Sequence, residues 1–173
     1  MGDSMSAQFL WENYFRPREK DDIFALLKRL PIFESLSQRQ LRLVERILHR
    51  RNYLEGEMVF QEGDSGSAMY IIESGEVVMH VGKSEQEIAR LHDGDFFGEI
   101  SLLVDQPRSA TARTVRDTKL IAFSQPDLLS LLETQPRLGI VVVMQLARIL
   151  AERLQHATVD NRVLHDRLAE FGQ

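Results

Sequence analysis

The 173 residues, 43% hydrophobic and 27% charged, supply one ordinary globular domain with an apolar core and leave little room for a second. A net charge of −5 argues against a broad electrostatic footprint for nucleic acid, which needs clustered Lys and Arg, while leaving room for a small local basic site. The absence of cysteine removes disulfides, thiolate metal sites and Cys nucleophiles, and makes a reducing, cytoplasmic setting the expectation.

Residues 1–22 read as an N-terminal extension with an unstructured start. Met1, Gly2 and Ser6 fit only the loose myristoylation pattern, which arises easily by chance. The run Arg16 to Asp22 mixes signs and reads as a hydrophilic linker or exposed helix end. The start lacks the basic-then-apolar order of a signal peptide, and no apolar run approaches the roughly 18 to 20 residues that span a bilayer.

Residues 23–135 form the expected main unit. Ile23, Leu26, Leu27 and Leu30, then Leu41, Val44, Ile47 and Leu48, recur at helical spacing, with Pro31 breaking the chain between them and Ser37 as N-cap of the second helix. From Arg51 to Phe123 the texture changes to short β-favouring runs: 53–54, 58–61, 68–72, 77–81, 88–91, 110–115 and 119–123. Glycines 56, 63, 66, 75, 82 and 94 punctuate them, which predicts an antiparallel sandwich or barrel. Within it, only 97–104 reads as helix. The fold class is therefore mainly β with flanking helices.

After Pro126 the pattern returns to helix, first at 127–133, then over a long segment from about Pro136 to Ala169 within the C-terminal unit 136–173. Ala147, Leu150, Leu154, Ala157, Asn161, Leu164 and Leu168 are spaced 3, 4, 3, 4, 3 and 4, a heptad seam. Around Ile140 to Met144 the stripe is expected to pack on its own domain. Beyond about Leu154 a partner helix is expected, because a small domain has little surface left to cover so long a helix. Asn161 falls at an a-type position that favours a parallel two-stranded register.

The chemistry concentrates in Phe97-Gly98-Glu99-Ile100-Ser101-Leu102-Leu103-Val104-Asp105-Gln106-Pro107-Arg108-Ser109-Ala110-Thr111-Ala112. A glycine turn leads into a short helix with a carboxylate near its start, and a proline-ended loop delivers an arginine to the next strand. N–H groups at a helix start and a guanidinium both attract an anion. Glu99 beside an anion site needs its own polar task, such as accepting from a sugar hydroxyl. A carboxylate for a sugar and an arginine for a phosphate, nine residues apart, suit a cyclic nucleotide.

This stretch resembles the phosphate-binding cassette of the cyclic-nucleotide-binding family, F-G-E-[LIV]-[AS]-L followed by P-R-[AST]-A-T, and every position is filled. Tyr53-Leu54-Glu55-Gly56-Glu57, Phe60-Gln61-Glu62-Gly63-Asp64 and Tyr70-Ile71-Ile72-Glu73-Ser74-Gly75-Glu76-Val77 resemble the glycine-bounded strands of the family's β-roll, a jelly-roll-like sandwich. The resemblance covers about residues 24–157. It implies that Glu99 binds the ribose 2′-hydroxyl, Arg108 the cyclic phosphate and Ser109 adds a further contact, with Phe97, Gly98, Ile100, Ser101 and Ala110 around them. Ser109, where cyclic GMP-selective members often carry Thr, puts cyclic AMP ahead of cyclic GMP as the ligand.

By resemblance to bacterial cyclic AMP receptors, Thr158, after Arg153-Leu154-Gln155, is the candidate to reach the base from the long helix, whose seam would make a homodimer. In those receptors the helix leads into a DNA-binding domain. This chain stops at Gln173, so direct DNA binding is not expected and an effector protein is. Neither a cofactor nor a catalytic activity is expected. The five histidines show no close-paired metal spacing, and no nucleophile elbow, P-loop or HExxH is present. Two alternatives remain: a ligand-free sandwich in which Arg108 and Glu99 merely form an ion pair, and a dimerisation or docking module working through residues 145–170.

Overall fold

The computed structural model describes residues 19–82 and 85–171, with side chains from 23 to 159 apart from 83 and 84. Two helices lead, α1 (Glu19–Arg29) and α2 (Gln38–Glu45). Ser37 caps α2 as the sequence predicts, in a reciprocal capping box with Gln40. The charged stretch 19–22 opens α1 rather than forming a linker; the rest of the extension, with Met1, Gly2 and Ser6, lies outside the described residues.

Eight antiparallel strands follow: β1 (His49–Tyr53), β2 (Met58–Phe60), β3 (Ala68–Ser74), β4 (Glu76–Val81), β5 (Gln86–His92), β6 (Phe96–Phe97), β7 (Thr111–Thr114) and β8 (Thr118–Ser124). They form two four-stranded sheets, ordered β1-β8-β3-β6 and β2-β7-β4-β5. This is the expected sandwich, and β1 begins earlier than predicted. His-Arg-Arg-Asn-Tyr is an edge strand with no fully buried residue, so hydropathy alone does not reveal it.

Alternation along β3 and β8 builds two cores from one sheet. Met69, Ile71, Ile121 and Phe123 face the helices, joining Leu27, Phe33, Leu41 and Val44. Ile72 and Leu120 point the other way and meet Val77, Phe97 and Ala112 between the sheets. Both faces of the β1-β8-β3-β6 sheet are thus covered, which explains the nearly continuous apolar runs at its centre.

The predicted helix over 97–104 divides. Phe96–Phe97 pairs with β3, Gly98 turns left-handed at φ 73°, and only Glu99–Leu102 coils, as a 3-10 turn. A left-handed residue cannot sit inside a right-handed helix, so glycine at 98 separates strand from turn.

Helix α3 (Gln125–Thr134) is capped by Ser124, and α4 runs from Pro136 to Phe171. The first turns of α4 do pack on the domain, through Leu138, Val142 and Leu146. Ile140 and Met144 do not: they are exposed on the opposite face. Farther along, Ala147, Leu154 and Ala157 are also exposed and Leu150 is half-buried; the side chains of Asn161, Leu164 and Leu168 lie outside the described residues. No helix among the described residues is long and apolar enough to cross a membrane.

Candidate functional site

Between the strand β6, the 3-10 turn and the loop before β7 lies a cleft of about 540 Å³. One wall is apolar, built from Phe60, Met79, Ile88, Ala89 and Leu91. The other is the 97–110 segment. Phe97, Gly98, Glu99, Ile100, Ser101, Arg108, Ser109 and Ala110 all line the cleft, so the structure brings these residues together.

Arg108 is the site's centre, with only 7% of its surface exposed. Its Nη1 donates to Ser101 Oγ at 2.9 Å and to the Gly98 carbonyl at 3.3 Å, and its Nη2 donates to the Ala68 carbonyl at 2.8 Å. The guanidinium lies over the Phe60 ring at 4.0 Å and 5.9 Å from that of Tyr70. Phe60, Tyr70 and Phe97 cluster beneath it with centroids 5.5 to 6.0 Å apart, Tyr70 and Phe97 stacked and Phe60 tilted against both. Its Nε is buried without a hydrogen-bond partner, and burial pulls the guanidinium below its ordinary pKa. Neutral carbonyls and a hydroxyl thus hold a desolvated cation that lacks a carboxylate partner among the described residues.

Glu99, 6% exposed, completes the polar set. It does not pair with Arg108, so the Glu99–Arg108 ion pair that the sequence left open is not formed. Its partner is Arg153 of α4, whose Nη1 lies 2.6 Å from Glu99 Oε1 and whose guanidinium sits 4.7 Å from the Phe96 centroid. Arg153 is a site residue that sequence reasoning missed. One Arg among many on an amphipathic helix carries no signal until the fold sets it against a buried carboxylate. Thr158, by contrast, is not among the residues lining the cleft of this single chain; it is exposed and donates to the Leu154 carbonyl at 2.8 Å.

Two glycines make the Arg108 pose possible. A Cβ on Gly66 would meet Arg108 Nε at 2.1 Å, and one on Gly98 would meet Nη1 at 2.7 Å. Among the described residues no group of three or more His, Asp or Glu is placed to hold a metal.

The chain is thus a helix-flanked β-roll whose cassette lines one cleft with a buried arginine and a buried carboxylate. The sequence profile of the "Cyclic nucleotide-binding domain" matches residues 50–135. The chain belongs to that family. It is 37% identical over 137 residues to the "Cyclic AMP receptor protein" of Thermus thermophilus, covering 78% of this chain and 62% of that protein. Among solved structures it matches the "Thermus thermophilus Catabolite Activator Protein" at 36% identity and TM-score 0.69, over 78% of this chain and 62% of that one. It also matches a "cyclic nucleotide-binding domain" from Methylobacillus flagellatus at 25% identity and TM-score 0.71, over 83% and 82% of the two chains. The chain spans 62% of the receptor's length, and 28% and 30% of a potassium channel protein and a kinase regulatory subunit that it also resembles.

Proposed function

We propose that this protein is a cytoplasmic cyclic AMP sensor that acts by recognition alone, without catalysis. The observation that carries the reading is Arg108, a buried cation that forms no salt bridge among the described residues, in a cleft it shares with a buried carboxylate. A cyclic phosphate would supply the missing anion through charge-assisted bonds to the guanidinium, with Ser109 and the first amides of the 3-10 turn beside it. The ribose hydroxyl would donate to Glu99, and the base would rest on the apolar wall of Met79, Ile88 and Leu91. That wall offers little to a guanine edge, which carries one more donor group than adenine, and this supports cyclic AMP over cyclic GMP. The test is calorimetric titration with cyclic AMP, cyclic GMP and linear AMP. Cyclic AMP should bind tightest and linear AMP negligibly; no heat with either cyclic nucleotide would sink the reading.

The read-out we propose runs through α4. Arg153 joins α4 to Glu99, and Leu102 of the cassette packs in the core that holds Leu138, Val142 and Leu146. A ligand that engages Glu99 therefore alters what holds α4, and it can bias the helix only by its differential affinity for the two arrangements. The exposed Ala147, Leu154 and Ala157 of α4 support a homodimer through that helix, which then signals to an effector protein. Replacing Arg153 with Gln should separate binding from signalling. Cyclic AMP affinity should stay within about tenfold, since one partly exposed ion pair is lost. The ligand-induced change in amide exchange over residues 145–159 should vanish. Its persistence in the variant would show that α4 is read by another route.

A further inference from the structure

Charge is distributed unevenly along this chain. Residues 23–51 hold seven Lys and Arg against Glu34 and Glu45, a local +5 in a chain of net −5. Two of these arginines lie on α2, at 39 and 42, and a third, Arg46, is its C-cap in helical conformation; all three are exposed. At 100° per residue they fall within an arc of about 60° and extend over about 10 Å of helix. Leu41 and Val44 occupy the buried face. None of the three forms a salt bridge among the described residues, whereas Arg50, Arg90, Arg116 and Arg153 each face a carboxylate.

A solvated helix face ordinarily interleaves acids with bases at the i, i+3 and i+4 positions. Here Arg39 meets Arg42 and Arg42 meets Arg46 at those positions, with Glu45 an acid at i+3 from Arg42, and Arg39 stands in a first turn without an acidic residue, where the helix dipole disfavours a cation. Arg39 and the like-charge contacts thus cost the helix something, which Arg42 in the last turn and Arg46 at the C-cap offset in part through the dipole. Arg42 is nonetheless held in place, its guanidinium 5.4 Å from the centroid of the Phe24 ring on α1. Lys28, one turn further along α1 on the same face as Phe24, is exposed as well.

We propose that Arg39, Arg42 and Arg46 form a docking surface for an acidic helical segment of a partner protein. A helix with carboxylates at i, i+3 and i+7 carries them on a single narrow stripe, matching the arginine row in length and arc. A nucleic acid or an anionic membrane fits less well, because each brings an extended negative surface against a chain whose residues outside 23–51 are net negative. A helical segment localises its charge within about one Debye length of the row.

The probe is a capped, labelled, alanine-based helix of about 20 residues with glutamates repeating at i, i+3 and i+7, read by fluorescence anisotropy on the full chain. Three ion pairs should make the Arg39→Gln/Arg42→Gln/Arg46→Gln variant bind about tenfold more weakly. Raising salt from ~50 to ~300 mM should weaken wild-type binding. A peptide of equal charge with its glutamates spread around the helix should bind less well than the striped one. The variant should melt close to wild type, because the three side chains are exposed and the relieved like-charge contacts offset the lost Phe24 contact and helix-end charge, so a matched melt separates lost binding from lost folding. The idea is overturned if the striped peptide does not bind, if the triple variant or the dispersed peptide binds as well, or if duplex DNA or phosphatidylserine vesicles depend on the row while the peptide does not. None of these outcomes involves the cyclic-nucleotide cleft.

Discussion

Arg108→Met is expected to remove cyclic nucleotide binding while leaving the fold standing. Two charge-assisted hydrogen bonds to a phosphate, at about 1.5–3 kcal/mol each, amount to about 3–6 kcal/mol, or roughly 10²- to 10⁴-fold in Kd. The free protein should suffer far less. It loses three donors, to Gly98, Ser101 and Ala68, but it also loses a desolvated cation that has no anionic partner among the described residues. Methionine keeps most of the volume and retains a favourable contact with the Phe60 ring. The net change should stay within about 2 kcal/mol, a Tm shift of no more than about 8 °C for a domain of this size. Saturating ligand at ~100 times the wild-type Kd should stabilise the wild type by about 2.7 kcal/mol and the variant by no more than about 0.4 kcal/mol. Calorimetry and thermal scans with and without cyclic AMP check both halves. Retained affinity within threefold would mean that the phosphate does not lie on Arg108.

The architecture and the cassette were both legible in the sequence, for different physical reasons. Glycines at strand ends and short β-branched runs announce a sandwich because turns and pleats constrain residue type locally. The cassette is equally local: Phe97 to Ala110 reach one cleft because a single turn and loop place them there. What stayed hidden was non-local or weakly patterned. β1 is polar from His49 to Asn52, with only Tyr53 reaching the inter-sheet core, and owes its existence to pairing with β8. Arg153 reaches Glu99 across 54 positions, and periodicity carries no information about which helix face will meet a distant carboxylate. The same blindness explains Ile140 and Met144. The apolar spacing of α4 is shared by two stripes, and only the fold decides that Leu138, Val142 and Leu146 form the one turned inward.

Gly66 carries only turn punctuation as a sequence signal, and its larger role leads to the second strong expectation. Its backbone is not in the left-handed region, so alanine there strains no dihedral and removes some unfolded-state freedom, which by itself stabilises by about 0.4–1 kcal/mol. The added methyl, however, would stand 2.1 Å from Arg108 Nε, 2.5 Å from Cζ and 2.8 Å from Nη2. Something must move, and the end of the arginine side chain moves more cheaply than backbone. Once displaced, the guanidinium leaves the Phe60 face and the Ala68 carbonyl, and no longer stands in register with Glu99 for a ligand that must reach both. Misplacing the phosphate partner by this much should raise the Kd for cyclic AMP by about 10²-fold, most of what deleting it costs. Gly98→Ala is a poorer probe because φ is 73° there, so backbone strain would be mixed with the same steric effect. The double variant Gly66→Ala/Arg108→Met gives the decisive comparison. If Gly66 acts only by holding Arg108 in place, adding Gly66→Ala to Arg108→Met should change affinity no further, a strongly non-additive cycle. Additive losses would assign Gly66 a contact of its own with the ligand, and near wild-type binding by Gly66→Ala would show that the guanidinium has more room than its carbonyl partners imply.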